Sequence, residues 1–402
     1  MTRTTILILT LDDETFMLKL LARMLAKLGF TEVTACDNGA EALERVAAPL
    51  PPDLILLDLN MPGMDGIEFV RKLVDQGYTG SVILVSGEDE RILKSTVHLI
   101  QAHRITVLGH LSKPVSLARL AAMTDRWRPA EAPHAAKKTY GAAELGAAIA
   151  NGELTNYYQP KVDVASGDVV GVETLVRWRH PVDGLVFPDQ FIGTAEEDGL
   201  IDELTRVVLT GALDQARAWR RAGLHLRVAV NLSMVSFSSV AFADFVAGAA
   251  AAAEVAPQDI VLELTESRLM LDQRAPLEIL TRLRMKRFRL SIDDFGTGHS
   301  SLSQLRDFPF DELKIDRSFV HGASRDTTSR AMYAASLSLG KQLGMEVVAE
   351  GVEDRDDWDL VRNTKCDLAQ GYFIARPMPA ADLAGWIPTW QERVREFAGD
   401  VS

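Results

Sequence analysis

Two carboxylates in immediate succession, Asp293 and Asp294, end an apolar run at Leu290, Ser291 and Ile292 and are followed by Gly296 and Gly298. Like charges so close together cost free energy unless a cation or a shared proton compensates them, so the pattern points to a divalent metal. Side chains alternate along a strand, and adjacent acids can serve one site only where the strand gives way to a loop. A solvated Asp-Asp turn has the same local signature, and Asp12-Asp13 and Asp356-Asp357 repeat the pair elsewhere. Deciding between the two depends on which other residues line up with Asp293.

From Tyr140 onward, short apolar runs alternate with helical patterns, and nearly every run carries a polar group at its exit. Gln159 lies in 156–160, Glu173, Leu175 and Arg177 in 169–178, Asn231 at the end of 226–231, and Glu263 in 260–266. Lys314 lies in 312–316, Glu350 ends 345–350, and Gln370 lies in 367–372. Helical stretches at 204–222 and 329–343 separate some of them, which predicts a closed α/β barrel of the TIM (β/α)8 kind with strand ends converging on one face. Glu173, Asn231, Glu263, Asp293 and Asp294 are hard oxygen ligands suited to Mg2+ or Mn2+ and not to zinc. Two ions bridged by Asp293 would clamp the attacking and leaving oxygens of a phosphodiester, with Lys314 holding a water or neutralising developing charge. The reaction class is metal-assisted phosphodiester hydrolysis.

The first 125 residues show a second strand-helix alternation. Apolar runs at 6–9, 54–57, 82–85 and 107–111 lead to Asp12-Asp13, Asp58, Ser86 and Lys113, and an amphipathic helix is expected over 16–28 and another over 40–46. This predicts a flavodoxin-like, doubly wound parallel sheet, in which ligands sit beyond the carboxyl ends of the strands. Three acids with a hydroxyl and a lysine there would form a small magnesium site beside a carboxylate able to accept a phosphoryl group.

With LDDE, LLDLNMPGMDG, LVSG and LSKP at the strand ends, residues 1–125 resemble the receiver domains of two-component response regulators. The resemblance implies Asp58 as phosphoacceptor, Asp13 as ligand of one Mg2+ with Asp12 in support, Ser86 and Lys113 as phosphoryl sensors, and a sensor histidine kinase as partner. His110 stands where the family usually has an aromatic switch residue.

Residues 140–398 resemble an EAL domain, the family that hydrolyses cyclic di-GMP, in YYQPKVD, ETLVRW, NLS, ELTES, DDFGTG, LKID, AEGVE and QGYF. The order of receiver, a 126–139 linker with two prolines, then EAL is similar to RocR-type response regulators. The resemblance implies two Mg2+ or Mn2+ ions on Glu173, Asn231, Glu263, Asp293 and Asp294. Lys314 and Glu350 would place or activate water, with Gln370 in support, and Gln159, Leu175 and Arg177 would contact substrate. Glu266 would anchor the loop after Asp294, and a homo-oligomer, dimer or tetramer, is implied. The signature triplet reads Glu-Thr-Leu, with Thr174 expected to face away from its neighbours' side and to cost little. The implied function is hydrolysis of cyclic di-GMP to linear pGpG under control of Asp58 phosphorylation; the alternative is a module that binds the dinucleotide or sequesters a kinase with little turnover.

Bulk composition agrees. The 43 basic against 56 acidic residues, a formal net charge of -13, argue against a general DNA-binding or anionic-membrane surface. Two distant cysteines, Cys36 and Cys366, suit a reducing cytoplasm. The alanine-rich run 247–253, bracketed by Asp244 and Glu254, is expected to be a soluble helix, not a membrane span.

Overall fold

The computed structural model describes residues 6–87, 93, 96–97, 100, 105–128, 138–233, 241–265, 274–296 and 302–399. Contacts divide the chain into a unit ending at Lys137 and one beginning at Lys138.

In the first unit, β1 (Ile8–Leu11), β2 (Val33–Cys36), β3 (Leu54–Asp58), β4 (Ser81–Ser86) and β5 (Thr106–Ser112) form one parallel sheet in the order 2-1-3-4-5. Every residue of β1, β3 and β4 is buried, because helices cover both faces. Alternation sends Leu9, Leu11, Ile55, Leu57, Val82 and Leu84 into one core and Ile8, Leu54, Leu56, Ile83 and Val85 into the other. The helix predicted over 16–28 spans Thr15–Lys27 and the one over 40–46 spans Gly39–Val46. Strand β2 was not expected from the sequence. Its middle residues, Thr34 and Ala35, are exposed, so it carries little apolar signal.

The second unit is a closed barrel of eight strands. They are β6 (Leu154–Asp163), β7 (Val169–His180), β9 (Arg227–Leu232), β10 (Ile260–Thr265), β11 (Arg289–Phe295), β12 (Glu312–Ile315), β13 (Glu346–Ala349) and β14 (Leu368–Ala369), with β14 returning to β6. Two short strands, β8 (Gly184–Val186) on β7 and β15 (Met378–Pro379) on β6, extend the sheet. Seven of the eight run parallel; β6 runs antiparallel to both β7 and β14. The expectation that all strands would present their exits to one face therefore fails for the first strand. Gln159 lies mid-strand, directly opposite Glu173.

Outer helices bury one face each. Ile201–Arg221 buries Leu204, Val208, Leu209, Ala212, Leu213 and Ala216, the three-and-four spacing of an amphipathic helix. The alanine-rich run lies, up to residue 252, in the helix Ala241–Ala252, which buries Phe242, Val246 and Ala250. No helix among the described residues is long and apolar enough to cross a membrane.

Candidate active site

Strand register brings the acids together. Glu263 on β10 pairs with Asn231 on β9 and with Ser291 on β11, and Ser291 pairs with Glu312 on β12. Asp293 and Lys314 follow two residues later on the same faces, one layer nearer the mouth.

The adjacent acids solve their facing problem with a bulge. The β11–β12 register shifts between Ile292 and Phe295, and Asp294 takes a positive φ of 55° while its N–H donates to Asp293 Oδ1 at 2.9 Å. Bulges re-aim side chains, and aspartate tolerates the left-handed region better than most residues. Asp293 and Asp294 thereby reach one cluster with Glu350, while Asp293 also clusters with Glu173 and Glu263. Gly296, two residues beyond Asp294, has φ 98°, and a Cβ there would meet the Phe319 ring at 2.5 Å.

Lys314 occupies the centre and is 1% exposed. Its Nζ lies 2.7 Å from Glu350, 2.9 Å from Glu263, 3.0 Å from Asp293 and 3.8 Å from Glu173. Burial disfavours the ammonium, but the four carboxylates outweigh it and hold Lys314 firmly protonated. Around Glu173, Asn231 donates to Oε1 at 2.8 Å and Gln370 to Oε2 at 2.6 Å. Gln370 also donates to Gln159 Oε1 at 3.0 Å, and Gln159 donates to the Ala375 carbonyl at 3.0 Å. The close approach of Gly371 to the Val352 backbone, where a Cβ would fall 2.2 Å from a carbonyl oxygen, fixes the turn that carries Gln370.

One ammonium cannot balance this many acids. Burial raises the pKa of Glu173 and, well above its usual range, that of Glu350, with Lys314 pulling the other way. Burial and then Asp293 push Asp294 up to about 6. Glu263 differs: burial pushes it up, but Lys161 and Lys314 prevail and hold it at about 2. Within each cluster the carboxylate oxygens lie within 4.8 Å of one another. Oxygen donors with surplus negative charge fit hard divalent ions, and no histidine or cysteine belongs to either group.

Gln159, Glu173, Asp293, Lys314, Glu350 and Gln370 open onto a cleft lined also by Leu175, Arg317, Glu353 and Tyr372, whereas Asn231, Glu263 and Asp294 are not among its lining residues. Arg177, two residues beyond Leu175 on the same face of β7, is buried, with its guanidinium 5.5 Å from the Tyr157 ring and 5.0 Å from that of Phe187. Thr174 faces the opposite side, beneath the helices 192–197 and 201–221, and its buried hydroxyl has no hydrogen-bond partner among the described residues. Glu266 lies outside the described residues. Asp356-Asp357 proves to be a helix start: Asp357 completes a capping box with Asp354.

Sequence reasoning missed Lys161 and Glu312, both buried below Lys314. Each stands two residues from an assigned position, Gln159 and Lys314, on the same strand, so period-two spacing was the available signal.

In the first unit, Lys113 Nζ lies 2.8 Å from Asp58 Oδ2 and 2.9 Å from Asp12 Oδ2, and Asp13 joins both acids in a cluster. Burial raises Asp12, and the two carboxylates raise Lys113 against the opposing effect of its own burial. Ser86 is fully buried at the end of β4, and its carbonyl accepts the Lys113 N–H. His110 is half-buried on β5, opposite Leu84.

Comparison with known proteins follows the same division. Residues 8–125 match the response regulator receiver domain and residues 142–377 the EAL domain. The cyclic di-GMP phosphodiesterase RocR of Pseudomonas aeruginosa is 33% identical over 376 residues, 92% of this chain and 96% of that protein. The bifunctional diguanylate cyclase/cyclic di-GMP phosphodiesterase MucR of the same organism is 40% identical over 241 residues, 60% of this chain but 35% of that protein. Against such longer relatives the chain spans about a third of their length. Among solved structures, the PaMucR phosphodiesterase in its c-di-GMP complex is 40% identical with a TM-score of 0.57, covering 60% of this chain and 98% of that one. The EAL enzyme Bd1971 in its cAMP and cyclic-di-GMP bound form is 29% identical with a TM-score of 0.58, covering 61% and 67%. With the EAL family matched over more than half of its length and a relative aligned along nearly all of it, this chain belongs to the response regulators that join a receiver domain to an EAL domain.

Proposed function

We propose that this chain hydrolyses cyclic di-GMP to linear pGpG in the cytoplasm, under control of phosphorylation at Asp58 by a sensor kinase. The observation that carries the reading is the gathering of Glu173, Glu263, Asp293 and Glu350 around the buried ammonium of Lys314. Glu173, Asn231, Glu263, Asp293 and Asp294 would hold two Mg2+ or Mn2+ ions. Those ions, when bound, supply neutralisation of the phosphate oxygens and acidification of water.

The protein's own groups do the rest. Lys314 and Glu350, 2.7 Å apart, hold the attacking water and orient it toward phosphorus. The water gives up a proton as its oxygen bonds to phosphorus, the P–O3′ bond breaks, O3′ takes up a proton in exchange, and the 5′ phosphate stays on pGpG. Gln370 and Asn231 fix both oxygens of Glu173 and so its direction. Leu175, Arg177 and Gln159 contact the dinucleotide, Arg177 through a phosphate oxygen. In the receiver unit Asp12 and Asp13 would hold one Mg2+ beside Asp58, with residues 126–139 linking the two domains.

Purified protein incubated with Mn2+ and cyclic di-GMP is expected to yield pGpG on chromatography. Tight binding without product would instead favour the sensing module. Rates of the native chain and Asp58→Asn, each with and without a phosphoryl mimic, test the regulation; four equal rates would remove it.

A further inference from the structure

Beneath the mouth of the barrel lies a second charged layer. Lys161 reaches inward from β6, the antiparallel strand, and is 3% exposed. Its ammonium lies 2.6 Å from Glu263 Oε1 and 3.0 Å from Glu312 Oε1, joining β6 to β10 and β12 on other parts of the wall. Glu312 Oε1 also accepts the Ser291 hydroxyl at 2.9 Å. Glu263, with no exposed surface, is thus gripped on Oε1 by Lys161 and on Oε2, at 2.9 Å, by Lys314.

Resting on the metal-dependent reading above, we propose that Lys161, charge-balanced by Glu312, is a positioning residue that fixes the Glu263 carboxylate so that Oε2 is the oxygen presented to a divalent ion. With Oε1 held by Lys161, Oε2 stays on the side of Lys314 and the mouth acids; released from Lys161, the carboxylate can rotate or offer both oxygens together. Glu312 keeps Lys161 from adding net positive charge beneath a site that must attract cations. Groups that orient a metal ligand from behind are typically worth about 10- to 100-fold in metal affinity.

The test uses the full chain and manganese itself as probe. Lys161→Met/Glu312→Gln and Lys161→Leu/Glu312→Leu each remove one positive and one negative charge, so the summed charge under the site is unchanged. Buried pairs replaced together by apolar groups often leave stability intact. Mn2+ binding, read from the electron paramagnetic resonance of free ion, is expected to weaken about 10- to 100-fold in both. The melting curve in EDTA should stay cooperative, and Ser291→Ala, which leaves Lys161 on Glu263, should bind Mn2+ as the parent does.

Parent affinity in either folded double variant would overturn the proposal. So would a comparable loss of affinity in Ser291→Ala, or failure of both double variants to fold, since the layer would then act only on stability. A parent that binds no Mn2+ would defeat the metal-dependent function as well. A parent that binds Mn2+ tightly but forms no pGpG would defeat the proposed hydrolysis while leaving the role of Lys161 to these affinities.

Discussion

Replacing Lys314 by methionine removes the ammonium that neutralises four carboxylates within 4 Å, at 2.7, 2.9, 3.0 and 3.8 Å. The stem volume is kept, so the change is chiefly one of charge. Removing one partner of a buried ion pair costs about 3–5 kcal/mol, because the remaining charge loses its compensation. For a domain of this size each kcal/mol moves the midpoint of melting by about 2–4 °C, so metal-free Lys314→Met should melt roughly 6–20 °C lower near pH 8.

Two conditions should shrink that gap. Mn2+ at a hundredfold over its dissociation constant adds about 2.7 kcal/mol per site to the folded state, and more in the variant, where it meets less positive charge. Acidification acts in the same direction. Burial already holds Glu350 and Glu173 above the usual carboxylate value of 4.5, and loss of Lys314 raises them further. An acid with a raised folded pKa favours the fold while both states are protonated, below about 4.5, and loses that stability as pH rises toward the folded value. The melting gap should therefore be larger near pH 8 than near pH 6. Thermal melts followed by circular dichroism, in EDTA and in Mn2+ at both pH values, measure all four cases. A gap that ignores both Mn2+ and pH would refute the reasoning and leave Lys314 as a packing residue. Turnover should fall at least about 100-fold in the same variant, the scale of losing a preorganised charge at a reacting phosphate.

Other outcomes follow from the same geometry. Asp294, pushed up to about 6, must lose a proton to take a metal, so Mn2+ affinity measured by calorimetry should weaken progressively as pH falls through 6; Asp294→Asn should flatten that dependence. Thr174→Val removes a buried hydroxyl that has no hydrogen-bond partner among the described residues, and should be neutral or stabilising by up to about 1 kcal/mol in urea unfolding. Arg177→Lys exchanges a planar guanidinium held near Tyr157 and Phe187 for a point charge. Its KM for cyclic di-GMP should rise about 10-fold or more, with Mn2+ affinity at the parent value.

Much of this protein was legible before any fold was known, because the relevant signals are local. The apolar runs at 54–57 and 82–85 are buried on both faces, so hydrophobicity alone marks them, and each ends in the polar residue that the sheet delivers to its edge. In the barrel the polar residues Glu263, Asp293 and Lys314 lie inside their strands, among apolar residues that mark the runs. Strand β2 escaped because its exposed residues leave no apolar run.

What the sequence alone determined is which residue types stand at strand ends, and hence the hard-oxygen chemistry available. The tertiary structure decided which of them meet. The antiparallel direction of β6 sets Gln159 against Glu173 and sends Lys161 under Glu263, and neither follows from spacing along the chain. The bulge at Asp294 likewise depends on how β11 registers with β12. Contacts such as Lys161 with Glu263 and Glu312 join residues more than a hundred positions apart. Their distances are fixed by barrel closure and strand stagger, properties of all eight strands together and of no single segment.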